Sequence, residues 1–539
     1  MNDSDARDVI RESLDESLIV EAAAGTGKTS ELVRRLVSVL RTGRARVEQI
    51  VAVTFTRKAA GELKLRLREA LDQERGRTVS GDEVENLERS ITELEEARIG
   101  TIHSFCGDLL RERPVEAKVD PSFKELAEDE APALFDRAFG RWIEEKLADP
   151  PTGLQRALNR SLVRQNFGGS SPLGQIKSGA WKLVEWRDFS RPWRREPFER
   201  ESQIDALLRG VRDLSEMSER CRNWRDDLRK GLRPVRDLAT WTRRAEQEGS
   251  RSYERLEGLL IQLERDLNRY QNKKKGRGDF APDLPREVVL RARDSLTSAL
   301  EEFKRQADAD LAALLRDEFQ EIVQRYEELK RKSGKLDFVD LLIYTRNLIR
   351  DNPIIRSYFQ QRFTHIFVDE FQDTDPLQAE IMLLLSADDP EATDWLKVRP
   401  KAGKLFLVGD PKQSIYRFRR ADVQLYQQIR EALQEGGVRL VHLKLSFRSS
   451  PAIQQLVNAS FAPEMKDDRR IGQLDYVALE HSRPQQEGQP SLLVLPPPRP
   501  YSSFGNLANS AIESCLPDAT AALVDWMLNE SGWTIDDPE

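Results

Sequence analysis

Two acidic residues at the end of an apolar run open the chemical reading. In HIFVDEFQDTDPLQ, His365 to Gln378, the residues Ile366, Phe367 and Val368 lead into Asp369 and Glu370, then Gln372 and Asp373. Carboxylates at the C-terminal end of a buried strand are costly to desolvate unless a cation or a proton-transfer task compensates them. In a nucleotide hydrolase Asp369 would hold Mg²⁺, and Glu370 would orient or deprotonate the attacking water. A partner segment lies far upstream, in EAAAGTGKTS from Glu21 to Ser30. Gly25 and Gly27 free the backbone N–H groups to turn toward phosphates, Lys28 supplies a point charge, and Thr29 supplies a hydroxyl ligand for Mg²⁺. The nucleotide-binding set is Ala22, Ala23, Ala24, Gly25, Thr26, Gly27, Lys28, Thr29 and Ser30, with Ala22 standing where the strict phosphate-loop pattern has glycine.

The elements that must hold these residues follow from periodicity. Leu18 to Val20 reads as a strand. Leu32, Val33, Leu36, Val37 and Leu40 predict a helix over 30–40, giving the strand–loop–helix context a phosphate loop needs. Further strands are expected at 49–55, 364–369, 404–409, 441–446 and 491–495, with a helix at 517–529. Between about 120 and 335 the pattern turns to long charged helices. Leu311, Leu315, Phe319, Ile322, Tyr326 and Leu329 recur at three or four residues and form one apolar stripe. The expected fold class is α/β with a parallel sheet, interrupted by a large all-helical insertion.

Three more segments carry hydroxyls, aromatics and arginines at strand ends. Thr54, Phe55, Thr56 and Arg57 close one strand; Thr101, His103, Ser104 and Phe105 repeat that chemistry. Hydroxyls there suit a nucleic-acid backbone and aromatics suit bases. In KLFLVGDPKQSIYRFRRAD (404–422), Gln413 follows Asp410 closely enough to sense a γ-phosphate, and Tyr416, Phe418 and Arg419 come next. LKLSFRSS (443–450) carries Arg448, suited to reach across a cleft as an arginine finger.

Composition sets the bounds. The 539 residues allow three or four domains, and 33% charged with 39% hydrophobic residues suits a helix-rich soluble protein. No run of about 18 apolar residues predicts a membrane span, and the polar amino terminus resembles no signal peptide. Cys106, Cys221 and Cys515 are too scattered for a zinc knuckle or a disulfide framework, so a reducing cytoplasm is expected. A net charge of −7 does not advertise nucleic-acid binding, but a phosphate backbone meets a local face. The clusters Arg57/Lys58/Lys64/Arg66/Arg68 and 273–277 read mainly as solvated charge, and the Trp/Arg-rich stretch 181–200 as a packed helix joint.

The ordered set AAAGTGKT, TFTRKAAGEL, GTIHSF, DEFQDTDPLQ, GDPKQSIYRFR and LSFRSS resembles superfamily 1A DNA helicases of the UvrD/Rep type, and within them the RecB/AddA branch. The resemblance implies a RecA-like P-loop NTPase motor domain 1A (1–118 and 336–444), a helical insertion 1B (119–335) and a partial second RecA-like domain 2A (445–539). It implies ATP and Mg²⁺ as cofactors, and 3′→5′ movement on single-stranded DNA from duplex ends in recombinational repair. A nuclease/helicase partner subunit of a RecBCD/AddAB-like complex is implied too, with no membrane role. By that likeness Lys28 and Thr29 hold phosphates and Mg²⁺, Asp369 and Glu370 serve metal and water, Gln413 couples, and Arg448 contacts the γ-phosphate. Residues 1–20 lack the glutamine with which relatives commonly read adenine, leaving ATP against GTP open. The H-x-x-K-G-x-E and VALTRA-type motifs and the nuclease domain are not found before Glu539. The expected chain is therefore an amino-terminal portion that binds Mg·ATP weakly and turns it over slowly. The alternative is a shortened nucleotide-dependent DNA-binding or assembly module without motor activity.

Overall fold

A computed structural model describes residues 2–79, 81–127, 129–164, 171–189, 193, 196–270, 278–416, 420–466, 468, 473–484, 488–495 and 509–534. The chain divides into two compact units, one of residues 1–121 and 341–539, the other of 122–340.

The first unit is built on six parallel strands: β1 (Leu18–Ala22), β2 (Ile50–Thr54), β3 (Arg98–Thr101), β4 (His365–Val368), β5 (Leu405–Gly409) and β6 (Arg439–Leu443). Their spatial order is β3-β2-β4-β5-β1-β6. Parallel strands covered on both faces read as continuous apolar runs, which is why IVAVT, HIFV and LFLVG are buried throughout. Val20, Ala52, Phe367, Phe406, Val408 and Val441 share one core with Leu32, Leu36 and Leu40 of the helix Lys28–Arg41. Each fully buried valine, leucine or phenylalanine side chain here contributes about 1.5–3 kcal/mol. That helix starts two residues before the expected 30. Every strand is parallel, so all the C-terminal ends open on one edge: Glu21 lies beside Gly409, Val53 beside Val368, and Thr54 beside Thr101. Ligands of open α/β sheets bind at that edge.

Toward the C-terminus the helix Pro451–Phe461 follows, with Asn458 fixed by Tyr476 and the carbonyl of Leu479. The strand expected at 491–495 is absent: these residues join no ladder, and Leu492, Leu493 and Val494 are exposed. An apolar run becomes a strand only where a neighbour supplies hydrogen-bond partners. The helix expected at 517–529 runs from Asn509 to Asn529 with Pro517 inside it.

The second unit hangs on one helix of 47 residues, Arg286–Lys332, about 70 Å long at 1.5 Å per residue. Its amino-terminal half packs Leu296, Leu300 and Phe303 against Ile204, Leu208 and Leu260. The stripe read from the sequence lies in its second half, where Phe319, Ile322 and Tyr326 meet Phe135, Trp142 and Ile176. The unit is not purely helical, since Lys124–Glu125 pairs in parallel with Lys335–Leu336. The packed-joint reading of 181–200 holds for Trp181, edge-on to Phe135, and for Arg187, buried and bonded to Asp337 and Asp340 at 2.6 Å. Trp186, Phe189 and Trp193 are exposed. The basic run 273–277 lies outside the described residues.

Candidate active site at the sheet edge

The loop between β1 and the helix Lys28–Arg41 turns through Gly25 (φ 78°) and Gly27 (φ 85°), a region in which a side chain is strained. Gly25 is also pressed by its neighbours: a Cβ there would collide with the Cβ of Arg448. Thr26 is fully buried and its Oγ1 donates to the carbonyl of Ala23 at 2.8 Å. Arg7 braces the loop from outside, donating to the carbonyl of Thr26 (2.8 Å) and to Glu31 (2.9 Å).

A cavity of about 990 Å³ opens over this loop. Ala24, Gly25, Gly27, Lys28, Thr29 and Ser30 line it, and Glu370, Gln413, Phe447 and Arg448 close it. Ala22, Ala23 and Thr26 are buried behind the loop and do not line the cavity, so they frame it rather than touch its contents. Lys28 Nζ donates to Glu370 Oε2 at 3.0 Å, across 342 positions of sequence. Phe447 N–H donates to the carbonyl of Gly25 at 2.7 Å, which holds the segment of Arg448 against the phosphate loop.

The acidic segment follows β4. Glu370 adopts φ 52°, a left-handed conformation costly for a non-glycine residue, of the kind that collects where function over-determines geometry. Asp369 accepts from the N–H of Glu370 at 3.0 Å. Burial first, and the charge of Glu370 second, push its carboxyl up to about 6, against the pull of Lys28. Asp373 is pushed up to about 6 by the same two causes, and its Oδ1 is buried with no hydrogen-bond partner. Carboxylates so desolvated are short of positive charge. A divalent cation fits here, with Asp369 and the Thr29 hydroxyl the residues that could hold it.

Sequence reasoning gave no role to Gln372. It is 2% exposed, and its carboxamide bonds Glu370, Asp373 and the N–H of Asp410. Gln413 lines the cavity while donating to Asp410 Oδ2 at 2.8 Å.

The residues expected on nucleic acid divide. Phe55 and Tyr416 come together, stacked with ring centroids 4.7 Å apart. Thr56, Arg57 and Ser104 are exposed at the same sheet edge, with Thr101 and His103 half-buried. Thr56 and Thr101 also cap helices, accepting from Ala59 N and Ser104 N. Two expectations are corrected. Phe105 is 3% exposed and meets Phe363 edge-on at 5.5 Å, so it has no free face for a base. Thr54 is buried and donates to the carbonyl of Thr56, which shapes the turn instead of meeting a ligand. Phe418 and Arg419 lie outside the described residues. In the helical cluster Lys64 pairs with Glu95 and Arg66 with Glu62, but Arg66 also lines the cavity, so the solvated-charge reading does not hold for it.

The UvrD/REP helicase N-terminal domain matches residues 2–434. The chain belongs to that family. An ATP-dependent helicase/nuclease subunit of Streptococcus suis is 28% identical over 517 residues, covering 86% of this chain and 39% of that protein. The same-named subunit of Syntrophomonas wolfei is 27% identical over 492 residues, covering 85% and 38%. Exonuclease/helicase subunit RexA of Streptococcus pneumoniae is 26% identical, covering 86% and 39%. These names agree with the RecB/AddA resemblance read from the motifs. The chain thus spans about two fifths of the length of these relatives. Among the described residues no helix is long and apolar enough to cross a membrane.

Proposed function

We propose that this chain is the amino-terminal motor portion of an ATP-dependent DNA helicase that moves 3′→5′ along single-stranded DNA, as part of a nuclease-associated repair complex. One observation carries the reading: Lys28 and Glu370 meet at 3.0 Å, over a cavity floored by a glycine-turned loop. In this account residues 1–118 and 336–444 form a RecA-like motor domain, 119–335 its insertion, and 445–539 the start of a second motor domain. The backbone of Gly25 to Thr29 cradles the triphosphate, and Lys28 leaves Glu370 to pair with phosphate oxygens. Thr29 and Asp369 would hold Mg²⁺, which would supply positive charge against the phosphate oxygens. Glu370, freed from Lys28, accepts the proton of the attacking water, and Arg448 offsets charge developing on the γ-phosphate. Gln413 comes three residues before Tyr416, which stacks on Phe55 to form an aromatic platform for unpaired bases.

The test is phosphate release from ATP with and without oligothymidylate. A slow rate that rises with the oligonucleotide and vanishes in Lys28→Ala is expected. A rate indifferent to both would overturn the reading.

A further inference from the structure

One carboxamide touches both the acidic segment after β4 and the segment after β5. Gln372 Nε2 donates to Glu370 Oε2 at 2.8 Å and to Asp373 Oδ2 at 3.2 Å, while its Oε1 accepts from Asp410 N–H at 2.8 Å. A carboxamide has two N–H donors and one carbonyl acceptor, and here all are engaged. Only this orientation faces the donors to carboxylates and the acceptor to an N–H. Lys28 and Gln372 donate to the same oxygen of Glu370, so the two compete for and orient one lone-pair system.

The other side of the bridge is equally closed. Ser414 Oγ donates to the carbonyl of Gln372 at 3.1 Å, and Gln413 Nε2 to Asp410 Oδ2 at 2.8 Å. Tyr416, in the aromatic stack with Phe55, comes two residues after Ser414. At Gly409 any Cβ would stand 2.7 Å from Gln372 Oε1, so β5 approaches this carboxamide as closely as a backbone can. With Gln372 and Asp410 both 2% exposed and all polar atoms of the carboxamide bonded, its side chain has few arrangements open to it.

We propose that Gln372 is a positioning residue that couples nucleotide and single-stranded DNA binding, by tying the Glu370 carboxylate to the segment Asp410–Tyr416. This rests on the functional reading above. A nucleotide that draws Lys28 away from Glu370 changes the load on the shared oxygen. Gln372 passes that change to Asp410, and thence to the stacked pair of Tyr416 and Phe55. Coupling of this type is reciprocal, so each ligand alters the affinity of the other by the same factor.

The experiment measures anisotropy of a fluorescent oligothymidylate titrated with the chain, with and without Mg²⁺ and a non-hydrolysable ATP analogue. The readout is the ratio of the two affinities, which a merely structural role would not move. In the unaltered chain the ratio is expected to differ from one by at least about fivefold. In Gln372→Leu, and independently in Gly409→Ala, which displaces Oε1 without touching the side chain's chemistry, it falls below about twofold. Thermal melting identifies a variant that fails to fold, and the other variant then decides the outcome. Failure of the unaltered chain to bind either ligand overturns the functional reading and the proposal with it. Binding of both with no coupling, or coupling retained in a folded variant, overturns the proposal alone.

Discussion

Replacing Glu370 by glutamine should move affinity and turnover in opposite directions. The Lys28 side chain is 11% exposed and bonded to the Glu370 side chain, which is 37% exposed. A triphosphate must therefore displace Glu370 before Lys28 can serve it. Two unit charges 3.0 Å apart attract by about 5 kcal/mol at an effective dielectric of ~20. Solvent around Glu370 and the recovered hydration of both ions cut this to about 1 kcal/mol. Glu370→Gln removes the charge but keeps the shape, so Mg·ATP should bind about fivefold more tightly. The same change removes the second cause that raises the Asp369 and Asp373 carboxyls, leaving both better able to carry negative charge near a cation. Loss of the proton acceptor lowers turnover by at least about 100-fold. A fluorescent ATP analogue titrated at about pH 7.5, alongside steady-state phosphate release, reads both. Weaker binding by the variant, or turnover near that of the unaltered chain, would contradict both expectations.

Gly25→Ala should abolish nucleotide binding while leaving the melting temperature within a few degrees, because the new methyl would collide with the Cβ of Arg448 at a positive φ; normal binding in an equilibrium titration would show that the loop relaxes freely. Phe105→Ala should cost about 3–5 kcal/mol of stability in urea denaturation, without the specific loss of oligothymidylate affinity expected of Tyr416→Ala. The reverse assignment would restore Phe105 to the DNA face. Lys404 is buried, its amine pushed down to about 7, with Nζ bonded to the carbonyl of Gln360. The unfolded chain holds this proton up to an ordinary lysine value. The stability linked to it is therefore greatest above about pH 10 and is lost as pH falls to about 7. Lys404→Met should flatten stability between about pH 7 and 9.5 relative to the unaltered chain, and parallel urea midpoints at the two pH values would contradict this.

What was legible in the sequence is what is local. Leu32, Leu36 and Leu40 announce their helix, and IVAVT, HIFV and LFLVG announce buried parallel strands, because side-chain period and strand burial are written in consecutive residues. The stripe from Leu311 to Leu329 was legible for the same reason. Phe105 was misread although its signal was present. Ile102, Phe105, Cys106 and Leu109 keep helical spacing, and the helix Ile102–Glu112 turns those residues inward. Other features arise only when distant segments close. Gln372 acquires its role from Asp410, 38 positions away, and Arg7 from Glu31 and Thr26. The left-handed φ of Glu370 has no mark in a pattern of residue types.

The grip of Lys28 and the acidic pair on a triphosphate carries the functional reading. Calorimetric titration of Mg²⁺ and a non-hydrolysable ATP analogue into the unaltered chain and into Lys28→Ala tests it most directly. A charge-assisted contact of about 1.5–3 kcal/mol predicts affinity lower by about 10- to 100-fold in the variant. Equal affinity in the two proteins would contradict it.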